Sequence, residues 1–164
     1  MSQRNPWVEV RLGGSFQVTN LEIENRPDGT CQERLGNFKV FADKKLLGLF
    51  NYEQMQGRPP KLLVPVNEVI QSIRIQIEGT AYLHLGTLRA IGVRGHIDPV
   101  GGLVDLALGR PVTMSSQYGN FIPQYLVDGN PQTFMHTMNQ VANVFYPRAS
   151  FVSCVLSCSY LPTV

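Results

Sequence analysis

A short charged turn near the start of the chain contains the residues best suited to hold a ligand. Arg26 and Asp28 flank a proline, and Arg34 follows in the same stretch. A guanidinium group offers several donors in one fixed plane, so two arginines together can hold adjacent oxygen atoms. A carboxylate two residues from an arginine on a tight turn can lock that arginine in one orientation. The same residues also fit a surface turn that only holds its own salt bridge.

Catalysis is not indicated. The histidines His84, His96 and His136 have no serine or cysteine nucleophile in a known motif. No paired carboxylates flank a plausible cleft, and no glycine-rich phosphate loop precedes a helix. The chain has three cysteines, of which Cys154 and Cys158 are too far apart for a Cys-x-x-Cys motif. We therefore expect neither an enzyme nor a zinc or redox centre.

The composition indicates one folded domain without a nucleic-acid partner. The 164 residues carry a net charge of only +2, so there is no broad basic field for a phosphate backbone. Hydrophobic residues make up 43% and charged residues 16%, which favours a folded chain over disorder. No signal peptide is visible, and the apolar stretch near residues 151–161 is too short to cross a bilayer. We expect a soluble protein.

Alternating apolar and polar residues dominate the chain and predict β-strands. The clearest example is 73–78, where isoleucines alternate with Arg, Gln and Glu. A change of parity near Asn20 predicts a bulge, and Gly13-Gly14 is one of several predicted turns. No segment keeps a 3.6-residue apolar period. Many short strands separated by turns predict an antiparallel sandwich or barrel.

Three groups of motifs support a more specific prediction. Residues 6–13 read Pro-Trp-Val-Glu-Val-Arg-Leu-Gly, and residues 23–38 contain Ile-Glu-Asn-Arg-Pro-Asp and Arg-Leu-Gly-Asn-Phe. Residues 107–137 contain Ala-Leu-Gly-Arg-Pro, Ser-Ser, Val-Asp-Gly-Asn and His-Thr. Together these motifs resemble the discoidin, or coagulation factor 5/8 C-type, superfamily, and most closely its F-type lectin (fucolectin) branch. The resemblance implies an all-β, antiparallel, jelly-roll-like β-sandwich.

The resemblance also implies a carbohydrate site for fucose-like or galactose-like glycans. By motif, the sugar ligands are His136, Arg26 and Arg34, and Asp28 holds Arg26. Two features depart from the family. The adjacent cysteines whose disulfide packs on the sugar ring are replaced by Cys31 alone, and the segment between Asp28 and Arg34 is one residue longer.

A calcium site is the second feature that the resemblance implies. Asp128, Asn130, Thr133 and the carbonyl of Tyr125 correspond to its ligands, and mixed oxygen ligands suit Ca²⁺. The family's glutamate on the last strand corresponds to about Ala90, so one charged ligand is missing and we expect a weakened site. The alternative for the Asp-Gly-Asn sequence is a plain turn.

The motifs occur in a different order from that of the family. Residues 6–95 resemble the later strands of a module, 96–103 a linker, and 104–143 the first strands of a following module, while 144–164 form a tail without a clear pattern. One account is a fragment of a tandem array. The other is a circularly permuted domain, in which residues 104–143 complete the same sandwich. Burial of the open sheet face and strand edges favours closure within one chain.

The sequence thus predicts a lectin-type module that binds glycans. The resemblance implies a secreted or extracellular protein that meets membranes only through glycoconjugates or lipids, as an oligomer or within a tandem array. One alternative is a protein-binding or phospholipid-binding adhesion module that uses apolar loop tips such as Leu46-Leu47 or Phe121-Ile122. Another is an incomplete fragment that binds nothing.

Overall fold

The computed structural model describes residues 2–93 and 102–138, and regular structure in these ranges consists of β-strands and short 3₁₀ helices. The strands are β1 (Gln3–Arg4), β2 (Trp7–Glu24), β3 (Phe38–Ala42), β4 (Lys45–Phe50), β5 (Lys61–Gln76), β6 (Thr80–Ala81), β7 (His84–Leu85), β8 (Leu88–Val93), β9 (Val104–Asp105), β10 (Val112–Met114) and β11 (Met135–His136). The 3₁₀ helices span Gln32–Leu35, Tyr52–Gln54 and Pro123–Leu126. All pairs among these strands are antiparallel, and the predicted all-β antiparallel sandwich is confirmed.

Two long strands, β2 and β5, form the frame of the sandwich. They pair over most of their length, except where residues 12–15 of β2 face a single residue of β5, Gln71. The turn predicted at Gly13-Gly14 is therefore wrong, because both glycines lie inside β2 and form part of this irregularity. A second register shift between Val18 and Asn20 confirms the predicted bulge. Irregularities of this kind bend a strand and let it contribute to both layers of a sandwich.

The two halves of the long strand pair have different neighbours. Beside the first half of β2, the strand order is β4-β3-β5-β2-β10, and beside its second half the order is β5-β2-β8-β9. Apolar side chains from both halves meet in one buried cluster. Its largest fully buried members are Phe38, Leu12, Leu21, Ile23, Leu35, Ile73, Ile75, Leu83, Leu85, Leu88, Leu106 and Leu126.

The strands of residues 104–138 share sheets with those of residues 2–93. β9 pairs with β8, β10 pairs with β2, and β11 pairs with β7. The Asp105 carboxylate reinforces this docking by accepting the backbone N–H groups of Ala90 and Ala107. Most of the predicted linker and all of the predicted tail lie outside the described residues, as do His96, Cys154 and Cys158.

Leu106 anchors the second segment in the core. Its side chain packs over Gly92, where an added Cβ would lie 2.7 Å from Leu106 Cδ1 and 2.2 Å from the Gln17 carbonyl oxygen. A glycine at this position therefore allows both β2 and the Leu106 side chain to pack closely against β8.

Leu106→Ala should lower the free energy of unfolding by about 2–5 kcal/mol, because it leaves a cavity in the shared core. Leu108→Ala is the matched control, since Leu108 is 55% exposed and its truncation should cost less than about 0.5 kcal/mol. Denaturant unfolding of both variants measures the difference. Equal stabilities of the two variants would contradict the docking of this segment.

Candidate functional site

Asn25, which follows β2 directly, is fully buried and uses both ends of its side-chain amide. Its Nδ2 donates to the Gln32 carbonyl oxygen (2.9 Å), and its Oδ1 accepts the backbone N–H of Arg26 (2.8 Å). The same Oδ1 lies 3.1 Å from Nδ1 of His84. Gly86 packs so closely that an added Cβ would lie 2.6 Å from the Asn25 carbonyl oxygen. These contacts fix the point at which the charged turn leaves the sheet.

Asp28 holds the guanidinium group of Arg26 in one orientation. Nε of Arg26 donates to Oδ1 of Asp28 (2.7 Å), and Nη2 donates to Oδ2 (2.5 Å). Thr30 donates to the same carboxylate through its backbone N–H and its hydroxyl group. Burial would raise the pKa of Asp28, but the hydrogen bonds from Arg26 and Thr30 outweigh it and lower the pKa below its ordinary value. An ionised partner thus fixes Arg26, whose Nη1 makes no hydrogen bond to the described residues.

Three aromatic side chains, Tyr118, Phe121 and Phe134, form an aromatic strip between Arg26 and His136. Cζ of Arg26 lies 4.3 Å from the centre of the Phe134 ring, a cation–π contact. Phe134 and Phe121 stack at 4.5 Å between ring centres, and Phe121 stacks on Tyr118 at 5.8 Å. Tyr118 in turn lies 5.3 Å from the imidazole ring of His136. The strip provides a packed apolar surface between the cation and the imidazole.

His136 reaches this surface through strand pairing. The register of β11 with β7 places it opposite His84, with 5.7 Å between the ring centres. Its Nδ1 lies 2.7 Å from the carbonyl oxygen of Thr137. Burial lowers the pKa of His136, the bond to Thr137 offsets part of that effect, and the charges of Arg26 and Arg34 lower it further. The ring is therefore neutral near pH 7.

Arg34 completes the cationic part of the site. It lies in the 3₁₀ helix Gln32–Leu35, which the fully buried Leu35 anchors in the core. The Arg34 side chain is exposed and makes no hydrogen bond or ion pair with the residues that the structure describes. The start of this helix contacts the charged turn, because the Gln32 carbonyl accepts from Asn25 Nδ2 and Gln32 Nε2 donates to the Arg26 carbonyl oxygen. The structure thus brings three of the predicted carbohydrate-site residues, His136, Arg26 and Asp28, to one aromatic surface, and it places the helix that contains Arg34 against the same charged turn.

His84 lies beneath the site, although the sequence reasoning did not assign it there. Its Nδ1 contacts Asn25, and its Nε2 is buried with no hydrogen-bond partner among the described residues. Burial is the main cause that lowers the pKa of His84 to about 3, and the charges of Arg26 and His136 contribute. The sequence signal is weak, because 83–85 has the Leu-His-Leu pattern of a half-exposed strand, whereas all three side chains are buried.

Three of the four predicted calcium ligands converge on the hydroxyl group of the fourth, Thr133. Its Oγ1 lies 2.8 Å from Oδ2 of Asp128, 2.9 Å from the Asn130 carbonyl oxygen and 3.4 Å from the Tyr125 carbonyl oxygen. A hydroxyl group has one proton, so it can satisfy only one of these acceptors at a time. A cation with oxygen ligands would stabilise such a cluster.

This oxygen cluster contains a single carboxylate, that of Asp128. Within residues 2–93 and 102–138, no group of three or more His, Cys, Asp or Glu side chains is placed to hold a metal ion. A cation bound here would therefore depend mainly on neutral oxygen atoms.

A groove of about 600 Å³ runs between the charged turn and the loop that carries the oxygen cluster. It is lined by Pro27, Gly29, Gln32, Tyr52, Gly57, Arg58, Pro59, Pro60, Pro131 and Gln132. Its size lies within the range of small-molecule sites in proteins. The groove adjoins the charged turn at Pro27 and Gly29, but none of the four predicted carbohydrate-site residues lines it.

No family model, curated protein or solved structure matches this chain. The resemblance to the discoidin superfamily therefore stays a prediction from its motifs. Among the described residues there is also no helix that is both long and apolar enough to span a membrane.

His84 should make the stability of the protein depend on pH. Its pKa is about 3 in the folded state against an ordinary value of 6.5, so below pH 6.5 the unfolded chain binds a proton that the folded chain does not. The contribution of neutral His84 to the free energy of unfolding is fully present above pH 6.5 and is lost as the pH falls towards 3. The loss is about 2 kcal/mol at pH 5. Denaturant unfolding at pH 7 and pH 5 measures this loss. Between pH 7 and pH 5 the His84→Gln variant should lose about 2 kcal/mol less stability than the wild-type protein. An equal loss in the two proteins would contradict the assignment of this pH dependence to His84.

Proposed function

We propose that this protein is a carbohydrate-binding module whose ligand is held by Arg26, Arg34 and His136, with Asp28 as a positioning residue. The observation that carries the proposal is the aromatic strip that joins the Arg26 guanidinium group to the neutral imidazole of His136, with the helix of Arg34 packed against the same charged turn. These groups come from segments about a hundred residues apart in the sequence and meet through the pairing of β11 with β7.

The chemistry of this surface suits a saccharide. Sugar rings carry dense hydroxyl groups on their edges, and planar guanidinium donors match pairs of adjacent oxygen atoms. The faces of the same rings present C–H groups, which pack favourably against the negative face of an aromatic ring. The aromatic strip thus supplies the apolar contact that adjacent cysteines provide in F-type lectins. Because Asp28 fixes Arg26 beforehand, less conformational entropy is lost on binding.

Calcium binding at Asp128, Asn130, Thr133 and Tyr125 is the second part of the proposal. A bound ion would neutralise the converging oxygen atoms and stiffen the loop that leads to β11. The protein side chains alone make the contacts to the sugar, and calcium acts only through the position of this loop.

Arg34→Ala and His136→Ala should each weaken saccharide binding about 10-fold to 100-fold. Each change removes a hydrogen bond that involves a charged or partly buried group, worth about 1.5–3 kcal/mol. A glycan array screened with the purified protein identifies a ligand, and isothermal titration then gives the affinity of each variant. Arg11→Ala is the matched control for charge, because the Arg11 side chain is 71% exposed and, among the described residues, pairs only with Glu9.

The competing function is adhesion to phospholipids through apolar loop tips. Leu46 is 47% exposed and Ile122 is 36% exposed, so both could contact a lipid surface. Binding to anionic vesicles that survives Arg34→Ala and His136→Ala, without any saccharide ligand, would contradict the carbohydrate proposal.

Calcium should raise the melting temperature of the protein, whereas magnesium at the same concentration should not. Mg²⁺ requires a small octahedral site and releases water reluctantly, while Ca²⁺ accepts irregular sets of neutral oxygen ligands. At calcium concentrations about 100 times Kd, the stabilisation is about 2.7 kcal/mol. Asp128→Asn should abolish the effect in thermal unfolding experiments. An equal rise with both metals, or a rise that persists in Asp128→Asn, would contradict the assigned ligands.

A further inference from the structure

Acid would place a proton on Nε2 of His84, where the described residues offer no acceptor for it. The Asn25 amide donates to the Gln32 carbonyl oxygen and accepts the Arg26 backbone N–H, which fixes its orientation. The end that faces His84 is the acceptor Oδ1, so Nδ1 of His84 carries the proton of the neutral ring. Nε2 is buried without a hydrogen-bond partner, and a proton there would create a buried, charged donor with nothing to bind.

The surroundings of His84 also oppose this proton. Burial is the main cause that lowers its pKa to about 3, and the charges of Arg26, His136 and Arg34 contribute. The Asp28 carboxylate raises the pKa of His84, but two hydrogen bonds from Arg26 already engage that carboxylate. The closed arrangement therefore excludes an imidazolium ion at His84 near pH 5, and the ring can gain its proton only if a neighbouring segment moves.

The two sides of the His84 ring are held unequally. On one side, Asn25 is fixed by its bonds to the charged turn, and Gly86 packs against its backbone. On the other side, β11 places His136 opposite His84, with 5.7 Å between the ring centres, and β7 and β11 pair over two residues only. The long strands β2 and β5, by contrast, pair over most of their length. Segments with few contacts open most readily, so β11 is the side that yields.

The pairing of β11 with β7 is closed while His84 is neutral. Met135 and Thr137 are fully buried, and the Thr137 backbone N–H donates to the Leu83 carbonyl oxygen. The Leu83 backbone N–H donates in return to Oγ1 of Thr137. Opening exposes these side chains and hydrogen bonds to water, which costs free energy. Protonation of the opened His84 offsets part of that cost.

We propose that β11 is an acid-sensitive latch, which opens from β7 when His84 takes up a proton on Nε2 and thereby withdraws His136 from the aromatic strip. Arg26 keeps its bonds to Asp28, so acid removes the imidazole from the site and leaves the guanidinium group. The effect on ligands rests on the proposed carbohydrate-binding function, whereas the latch itself does not. A saccharide that contacts His136 holds the latch closed, so acid and saccharide act in opposite directions.

Native-state hydrogen exchange, followed by NMR at pH 7 and pH 5, measures the opening. The pKa of His84 is about 3 in the closed latch and has its ordinary value of 6.5 in the opened one. The opening constant should therefore rise at least about 25-fold between pH 7 and pH 5. The Thr137 backbone N–H reports the latch, and that of Ile75, in β5 between β2 and β3, reports global unfolding. Thr137 should lose at least about 25-fold of its protection, after correction for the intrinsic exchange rate.

Low concentrations of urea separate the latch from global unfolding. Opening of β11 exposes little surface, so Thr137 exchange should not respond to urea, whereas Ile75 exchange should accelerate. Equal protection and an equal urea response of the two amides would overturn the proposal, because only global unfolding would then expose Thr137. Protection of Thr137 that is the same at pH 7 and pH 5 would overturn it as well.

The His84→Gln variant tests whether His84 is the sensor. Glutamine keeps a donor for Asn25 and does not titrate, so about 25-fold of the fall in Thr137 protection should disappear. An undiminished fall would remove His84 from the mechanism. Circular dichroism checks that the variant folds. If it does not, ¹⁵N NMR of the wild-type imidazole rings decides, since a protonated His84 ring with Thr137 still protected would overturn the proposal.

A monosaccharide found by array screening tests the link to binding, with L-fucose and D-galactose as the first candidates. At about 100 times its Kd it should slow Thr137 exchange at pH 5 by at least about tenfold. If no saccharide binds, the proposed function fails, and exchange in the free protein still decides the latch. If a saccharide binds but leaves Thr137 exchange unchanged, the carbohydrate function stands and the coupling to the latch is wrong.

Discussion

The buried amide of Asn25 is the interaction on which the site depends. It ends β2, holds the backbone of Arg26 and orients the imidazole of His84. Each of these contacts uses an atom that would be costly to bury without a partner, so the turn and the buried histidine constrain each other. The orientation of the charged turn is therefore set from the core.

The second constraint is that residues far apart in sequence must meet. Arg26 follows the end of β2, His84 lies in β7 and His136 in β11, and only the pairing of β11 with β7 brings the imidazole to the guanidinium. This assembly has an energetic consequence, because a buried histidine, His84, and a partly buried one, His136, both stay neutral near the charge of Arg26. Such a combination is more common at functional sites than in an ordinary core, although structural networks also produce it.

The sequence predicts the parts of this arrangement that depend on local patterns. Alternation near Ile73 predicted β5, and the change of parity at Asn20 predicted the bulge in β2. Gly13-Gly14 was misinterpreted as a turn, because two glycines fit a turn and an irregular strand equally well and only the pairing partner distinguishes them. His84 was missed because its burial depends on segments of distant sequence, including His136, which leave no local periodicity.

The central claim is that one saccharide contacts Arg26, Arg34 and His136 together. NMR titration with a monosaccharide found by array screening, observing the side chains of Arg26, Arg34 and His136, tests it most directly. The account predicts that their signals shift together and saturate with a single Kd. Signals that stay unchanged there while others shift, for example around the separate groove that includes Arg11, would contradict it.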